Sequence, residues 1–206
     1  FTCILLLSEK FDIGLSEGRN KLIEACPTKY MVLLDEDFVF SNHTDISKSL
    51  SILCCSSIDI IGGSVYDIGK DASSHNQPRI FNGNINIENG VLNIINANDN
   101  PNYSIEGYLL SDIVLNFFIA KTESIKKVKW DKNLKLCEHI DFFIRCKEKD
   151  LKITFLKEMQ VKHIQENSMN NDQYRLYRSR AEEFNYLFKE KYGLKKIINN
   201  GKIING

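Results

Sequence analysis

The chain has 206 residues, with 27 Lys and Arg against 27 Asp and Glu, and 43% of its residues are hydrophobic. This composition is sufficient for a buried core and excludes a disordered tail, and the length predicts one large domain or two small ones. The formal net charge of zero argues against a nucleic-acid partner, because general polyanion binders depend on a basic face. No apolar run reaches the roughly 18 residues of a membrane span.

The cysteines give no sign of a zinc knuckle or a disulfide framework. None belongs to a CxxC pair, and a chain of this length does not depend on disulfides for its core. We expect buried free thiols at Cys3, Cys26, Cys54, Cys55, Cys137 and Cys146.

Short apolar strands alternate with helices in the first half of the chain. Continuous apolar runs predict buried strands at residues 2–7, 30–34 and 58–61. Residues 15–26, with Ser16 as the N-cap, and residues 45–54 are predicted helices. This alternation is typical of a parallel α/β sheet.

The second half changes character. Residues 80–95 alternate between apolar and polar, and Asn89-Gly90 predicts a type I′ hairpin turn between two strands. Further strands are predicted at 108–110, 114–120, 151–156 and 159–163, and helices at 122–128, 137–147 and 173–192. We expect the polar tail, 194–206, to fray, and no linker divides residues 1–206 into separate domains.

Two carboxylates follow the strand at 30–34, in the sequence Leu33-Leu34-Asp35-Glu36-Asp37. Asp35 and Asp37 point the same way, because side chains alternate along a strand. Open α/β sheets bind ligands at this edge, and two carboxylates there are costly unless a cation lies between them. The pattern favours Mg²⁺ or Mn²⁺ carrying a diphosphate. The alternative is a solvated strand end that caps the next helix.

A second acidic pair, Glu138 and Asp141, lies three residues apart at the start of the helix 137–147 and therefore on one face. Acidic residues also suit a helix N-terminus through its dipole alone, so the pair is either functional or merely stabilising. His163 ends a later strand, where it is either a metal ligand or a structural residue.

Four further polar residues are candidates for ligand contacts. Arg19 and Asn20 follow Gly18 near a predicted helix start, where phosphate or ribose groups bind readily. Asp112 and Asn116 flank an apolar segment, and a buried Asn needs either a ligand or a backbone partner.

The ordered combination of these stretches resembles the GT-A glycosyltransferases, and more closely the β-1,4-N-acetylgalactosaminyltransferases and related glycosyltransferase-2-like proteins. The order and rough spacing agree over residues 14–163. The matching stretches are Gly18-Arg19-Asn20, residues 29–40, 61–65 and 111–122, Trp130-Asp131, residues 138–143 and residues 161–163.

The resemblance implies a GT-A, Rossmann-like mixed α/β sheet flanked by helices. Members of the family begin with two further βα units, and we expect this sequence to start after them. The 206 residues would then form a single, partial GT-A domain.

The resemblance also implies inverting transfer of a sugar, a HexNAc, from a UDP-sugar to an acceptor hydroxyl. Asp35, Asp37 and His163 would hold Mn²⁺ or Mg²⁺, which offsets charge on the departing UDP. Asp141 would be the general base, with Glu138 as its rival.

Binding roles follow from the same resemblance. Arg19, Asn20 and Asp35 would contact the nucleotide, and Asp112 and Asn116 the donor sugar. The partners would be a nucleotide-sugar donor and a glycan or glycolipid acceptor. The expected location is the lumenal side of the Golgi membrane, with membrane contact only through an anchor upstream of Phe1.

Two other functions fit parts of the sequence. Asp35-Glu36-Asp37-Phe38-Val39 matches the first motif of haloacid dehalogenase-type phosphatases, with Asp35 as nucleophile, but their later Gly-Asp-x-x-x-Asp element is absent. A non-catalytic binding module that keeps the glycosyltransferase fold is the second alternative.

Overall fold

A computed structural model describes residues 12–68, 78–164 and 172–204, which form two β-sheets with helices packed around them. The predicted strand at 2–7 and Cys3 lie outside the described residues. The helices are α1 (Gly14–Ala25), α2 (Ser47–Cys55), α3 (Thr122–Val128), α4 (Glu138–Glu148), α5 (Asp172–Arg178) and α6 (Ala181–Lys191).

The larger sheet has seven strands. They are β1 (Tyr30–Leu33), β2 (Phe38–Val39), β3 (Ile60–Ile68), β6 (Ser104–Ile105), β7 (Tyr108–Ser111), β9 (Phe118–Lys121) and β10 (Ile153–Ile164). Their order is β1-β9-β3-β10-β7-β6, with β2 paired to β10. Because β9 is antiparallel to both β1 and β3, and β3 is parallel to β10, the strands β1, β3 and β10 run in one direction.

The mixed sheet flanked by helices agrees with the expected GT-A class. The alternation of strands and helices predicted a parallel sheet, and this is wrong in detail. Strands β3 and β10 are parallel neighbours, but β9 is antiparallel to both β1 and β3. The strands predicted at 151–156 and 159–163 are one strand, β10, whose register against β3 shifts between Phe155 and Gln160.

The smaller sheet runs in the order β12-β11-β5-β4-β8. Its strands are β4 (Asn82–Glu88), β5 (Val91–Asn96), β8 (Ile113–Val114), β11 (Lys196–Asn199) and β12 (Lys202–Ile203). The predicted hairpin at Asn89-Gly90 is confirmed, with φ angles of 52° and 78° at the two residues.

The expectation that the tail frays is wrong for residues 194–204. Strand β11 pairs in parallel with β5, and Leu194 and Ile197 are buried. Asn200-Gly201 repeats the left-handed turn of Asn89-Gly90, with φ angles of 47° and 77°. The strands on either side of this turn, β11 and β12, form a second hairpin of the same type. It was not predicted because the segment is rich in asparagine.

Two helix details and the burial of the cysteines also differ from expectation. Ser16 does not cap α1 but donates a hydrogen bond of 2.5 Å to the carbonyl of Leu134. The long helix predicted at 173–192 is interrupted between Arg178 and Ala181. The five described cysteines are free thiols as expected, but only Cys146 among them is buried: Cys26 and Cys137 are partly exposed, and Cys54 and Cys55 are exposed.

Two apolar clusters cover the two faces of the larger sheet. Successive residues of β3 divide between them: Ile60 packs with Phe118 and Phe143, whereas Ile61 packs with the cluster of Phe117. Both β3 residues are fully buried. The sheet is therefore enclosed on both sides, and polar side chains gather at its edge.

Gly63 lies where β3 passes closest to the irregular part of β10. A Cβ atom there would collide with the backbone oxygen of Met159 and lie 2.5 Å from the ring of Phe117. Only a residue without a side chain fits this approach between backbones.

We therefore predict that Gly63→Ala lowers the free energy of unfolding by about 1–3 kcal/mol, the usual cost of overpacking. Gly18→Ala is the matched control, because a Cβ there finds its nearest contact at 3.8 Å within α1. That variant should be neutral or stabilising by about 0.5–1 kcal/mol. Urea denaturation measures both, and equal stability of the two variants would contradict the packing argument.

Candidate functional site

A cluster of charged side chains lies at the carboxyl ends of β1, β3 and β10. The ring of His163 is between two carboxylates, with Nε2 at 2.9 Å from Asp37 Oδ2 and Nδ1 at 2.6 Å from Asp67 Oδ1. Arg79 donates to the same Asp67 oxygen at 3.3 Å. We call these four residues the edge cluster. The sheet thus brings Asp37 and His163 together, as the metal hypothesis requires.

Asp67 was not found from the sequence. It is the register partner of His163 in the parallel pairing of β3 with β10. That pairing is a tertiary feature, and its register depends on the irregularity between Phe155 and Gln160. The sequence signal is only a carboxylate near the end of an apolar strand.

The edge cluster has features that suit a divalent cation. A protonated imidazole donates to both carboxylates, whereas a neutral ring has one N–H and one lone pair, which is the form that binds a metal ion. Asp37 Oδ1 is buried without a hydrogen-bond partner. Asp67 could receive Nδ1–H and orient the ring, which leaves Nε2 and the Asp37 carboxylate as ligands. Carboxylate oxygens suit Mg²⁺ and Mn²⁺, and an imidazole nitrogen is a ligand for divalent transition metals.

Asp35 does not join this ligand set as described. Its Oδ1 accepts a hydrogen bond of 3.1 Å from Arg19 instead. Within residues 12–68, 78–164 and 172–204, no group of three or more His, Cys, Asp or Glu side chains has the spacing to hold a metal ion. Asp37 and His163 are therefore the two side chains of this edge that could bind a metal ion together.

Arg19 forms a second cluster with Asp35 and Glu138, here called the Arg19 cluster. Its guanidinium donates to Glu138 Oε1 at 3.2 Å and to Asp35 Oδ1 at 3.1 Å, and it lies 5.5 Å from the centre of the Trp130 ring. Arg19 and Glu138 are each only 7% exposed. Burial raises the pKa of the Glu138 carboxyl, and the charge of Arg19 opposes that rise.

Asn116 pairs with His139, which is not among the residues predicted from the sequence. Its Oδ1 lies 2.6 Å from Nδ1 of the His139 ring. The partner expected for a buried Asn is therefore a protein side chain. His139 lies within the segment Glu138-His139-Ile140-Asp141, in which only the two carboxylates were predicted to be functional.

Asn20 has a structural role. Its amide nitrogen donates to the carbonyl of Trp130 at 2.8 Å, and its oxygen accepts from the Trp130 N–H at 2.7 Å. Both ends of the amide are committed to the backbone. The prediction that Asn20 contacts a nucleotide is not supported, because its polar atoms already have partners.

Asp112 also lies inside the fold rather than at a ligand site. It is 3% exposed and accepts from the backbone N–H of Ile85 at 2.8 Å and from Lys147 at 2.7 Å. Tyr103 donates to it at 3.4 Å, and burial, together with the charge of Asp112, raises the pKa of Tyr103 to about 12. These bonds fasten β4 to α4, and they give no support to the predicted contact of Asp112 with a donor sugar.

Asp141 is separated from both clusters. Its side chain is 0% exposed, and Oδ1 accepts from Lys191 at 2.5 Å and from the Tyr192 hydroxyl at 2.8 Å. A general base must reach the proton that it takes, and this carboxylate is enclosed by the end of α6. The structure therefore favours Glu138, the rival candidate, over Asp141.

We predict that Asp141→Asn lowers the free energy of unfolding by about 1–3 kcal/mol, because it weakens a buried charge-assisted hydrogen-bond group. Asp131→Asn is the matched control. Asp131 also pairs with Lys191, at 2.7 Å, but is 21% exposed, so its loss should cost less than about 1 kcal/mol. Chemical denaturation at neutral pH measures both. Equal costs would contradict the view that Asp141 fastens α6 to α4.

No family model matches the chain. It is 29% identical to beta-1,4 N-acetylgalactosaminyltransferase 1 of Rattus norvegicus over 140 residues, and 31% identical to beta-1,4 N-acetylgalactosaminyltransferase 2 of Mus musculus over 144 residues. Each match covers 65% of this chain and 25% of the relative, so the chain matches about a quarter of the length of these curated relatives. The resemblance to the β-1,4-N-acetylgalactosaminyltransferases is confirmed by these matches.

Proposed function

We propose that this chain is part of a metal-dependent, inverting glycosyltransferase that moves a HexNAc from a UDP-sugar to an acceptor hydroxyl. The observation that carries the proposal is the convergence of Asp37 and His163 at one sheet edge in a chain whose relatives bear transferase names. The same relatives favour this function over the phosphatase alternative.

Asp37 and His163 would hold Mn²⁺ or Mg²⁺ against the diphosphate of the donor. The bound cation would neutralise charge that develops on the leaving nucleotide. Asp67 supports this role from the other side of the His163 ring. A carboxylate that accepts a hydrogen bond from Nδ1 fixes the orientation of the imidazole and makes Nε2 a better ligand. Arg79 in turn holds Asp67.

Glu138 is the proposed general base. It begins α4 beside Arg19 and Asp35, and burial raises the pKa of its carboxyl against the opposing charge of Arg19. Arg19 orients the carboxylate through the hydrogen bond to Oε1. Displacement with inversion requires such a base on the side of the sugar opposite the diphosphate.

Arg19 and Asp35 would line the nucleotide side of the site, and Asn116 the donor sugar. The acceptor would be a glycan or glycolipid, and the proposed setting is the Golgi lumen. Among the described residues, none of the helices combines the length and apolar character needed to traverse a bilayer.

We predict that Asp37→Ala weakens Mn²⁺-dependent binding of UDP by at least about tenfold, because it removes one of two protein ligands. Asp35→Ala should weaken it less, since Asp35 contacts Arg19. Asp99→Ala, at an exposed carboxylate, is the control. The affinity for UDP is measured by isothermal titration calorimetry with and without Mn²⁺. Unchanged affinity in Asp37→Ala would refute the metal assignment.

A second prediction separates the two candidate bases. In the complete polypeptide that contains this sequence, Glu138→Gln should lower turnover by about 10²–10⁴-fold while donor affinity is retained. Asp141→Asn should leave turnover per folded molecule near that of the wild type. Initial rates and donor titrations on the same preparations test this. The opposite ranking of the two variants would return the role of base to Asp141.

A further inference from the structure

Trp130 lies against the Arg19 cluster, and the proposed function leaves it without a role. Its ring is 3% exposed, and Cζ of Arg19 lies over it at 5.5 Å from the ring centre. A guanidinium within about 6 Å of the centre of an indole ring is attracted by the electrons of the ring face, most strongly where water is excluded. Because Arg19 is itself only 7% exposed, the two side chains form a buried cation–π pair.

The position of the Trp130 ring is fixed by contacts other than Arg19. Phe142 of α4 stacks on it, with ring centres 4.0 Å apart and planes at 8°. The Asn20 amide holds the Trp130 backbone through two hydrogen bonds, of 2.8 Å to the carbonyl and 2.7 Å from the N–H. Asn20 follows Arg19 in α1, so one helix both fastens the backbone of Trp130 and supplies the cation over its ring.

The two carboxylates of the Arg19 cluster leave the tilt of the guanidinium open. Glu138 and Asp35 accept from different nitrogens, each through one oxygen, at 3.2 and 3.1 Å. Neither contact is the pair of parallel hydrogen bonds with which a carboxylate fixes the plane of a guanidinium. A flat ring that is itself held in place supplies the missing restraint.

We propose that Trp130 is a positioning residue: its ring face holds the Arg19 guanidinium in the orientation that donates to Glu138 and Asp35 at once. Through Arg19, the ring directs the carboxylate of Glu138, the proposed base. The effect on turnover rests on the proposed function, whereas the restraint on Arg19 does not.

The first experiment depends on Trp130 being the only tryptophan among the 206 residues. Fluorinated tryptophan supplied during expression therefore replaces this ring alone, and fluorine withdraws electrons from the ring face with little change of shape. In ¹⁵N spectra of the unmodified chain, the two terminal nitrogens of Arg19 should give separate signals, assigned by their loss in Arg19→Lys. Rotation of the guanidinium should become faster by about threefold or more as fluorine atoms are added.

Two results of these spectra would overturn the proposal. Equal rotation rates in the unmodified and fluorinated chains would show that the carboxylates alone restrain Arg19. A single averaged signal from its terminal nitrogens in the unmodified chain would show that the guanidinium is not held. Neither result depends on catalysis, and neither requires a variant with a smaller side chain to fold.

The second experiment separates positioning from packing in the complete polypeptide that contains this sequence. Trp130→Phe keeps an aromatic face, whereas Trp130→Leu keeps apolar bulk without one. Turnover per folded molecule should fall by at least about tenfold in Trp130→Leu and stay within about threefold in Trp130→Phe. Phe118→Leu is the matched control and should keep wild-type turnover, because Phe118 is fully buried in the same apolar cluster and its ring pairs with Phe142 and Phe143.

A double variant tests whether Trp130 acts through Arg19. The ammonium group in Arg19→Lys lacks the planar fork, so adding Trp130→Leu to it should lower turnover no further. Additive losses, wild-type turnover in Trp130→Leu, equal losses in the two Trp130 variants, or the same loss in Phe118→Leu would each overturn the proposal. Absence of transfer by the wild type would refute the proposed function instead, and the Arg19 spectra would still decide the role of Trp130.

Discussion

The buried guanidinium of Arg19 is the constraint on which the polar site depends. A charge with so little solvent contact requires acceptors, and it finds one carboxylate after β1 and one at the start of α4. Three separate elements, α1, the end of β1 and α4, are thereby held together. Removing either acid would take away one of the two carboxylates that accept from the buried guanidinium, so the positions of Asp35 and Glu138 are fixed by the same requirement that keeps Arg19 inside.

The antiparallel strand β9 has a comparable effect on the edge cluster. Because it lies between β1 and β3, those two strands keep the same direction, and β10 extends that direction across the sheet. Asp37, Asp67 and His163 consequently approach from three strand ends that are far apart in sequence. The two apolar clusters fix the sheet between them, and Asp37 reaches its edge from the turn between β1 and β2.

Sequence reasoning succeeded where the chemistry was local and failed where partners were distant. Three predicted features depend on only a few neighbouring residues: the Asp-x-Asp strand end, His163 at the end of its strand, and the Asn89-Gly90 turn. Asp67 required the register of β3 against β10, and His139 required the fold of Asn116 against α4. Asp141 and Asp112 had suitable chemistry, but residues 50 and 35 positions away occupy them. The second hairpin was missed because its turn lies in a polar stretch.

The pairing of β11 with β5 makes the order of synthesis matter. Strand β5 emerges from the ribosome about one hundred residues before the strand that covers its edge, and until then its backbone groups on that side have no partner. Lys191, which closes over Asp141, arrives equally late. Any polypeptide that stops before Lys196 would keep β5 as an open edge, a surface prone to pairing with other chains. The Asn-rich segment at 196–203 thus covers an edge of β5 only once the domain is complete.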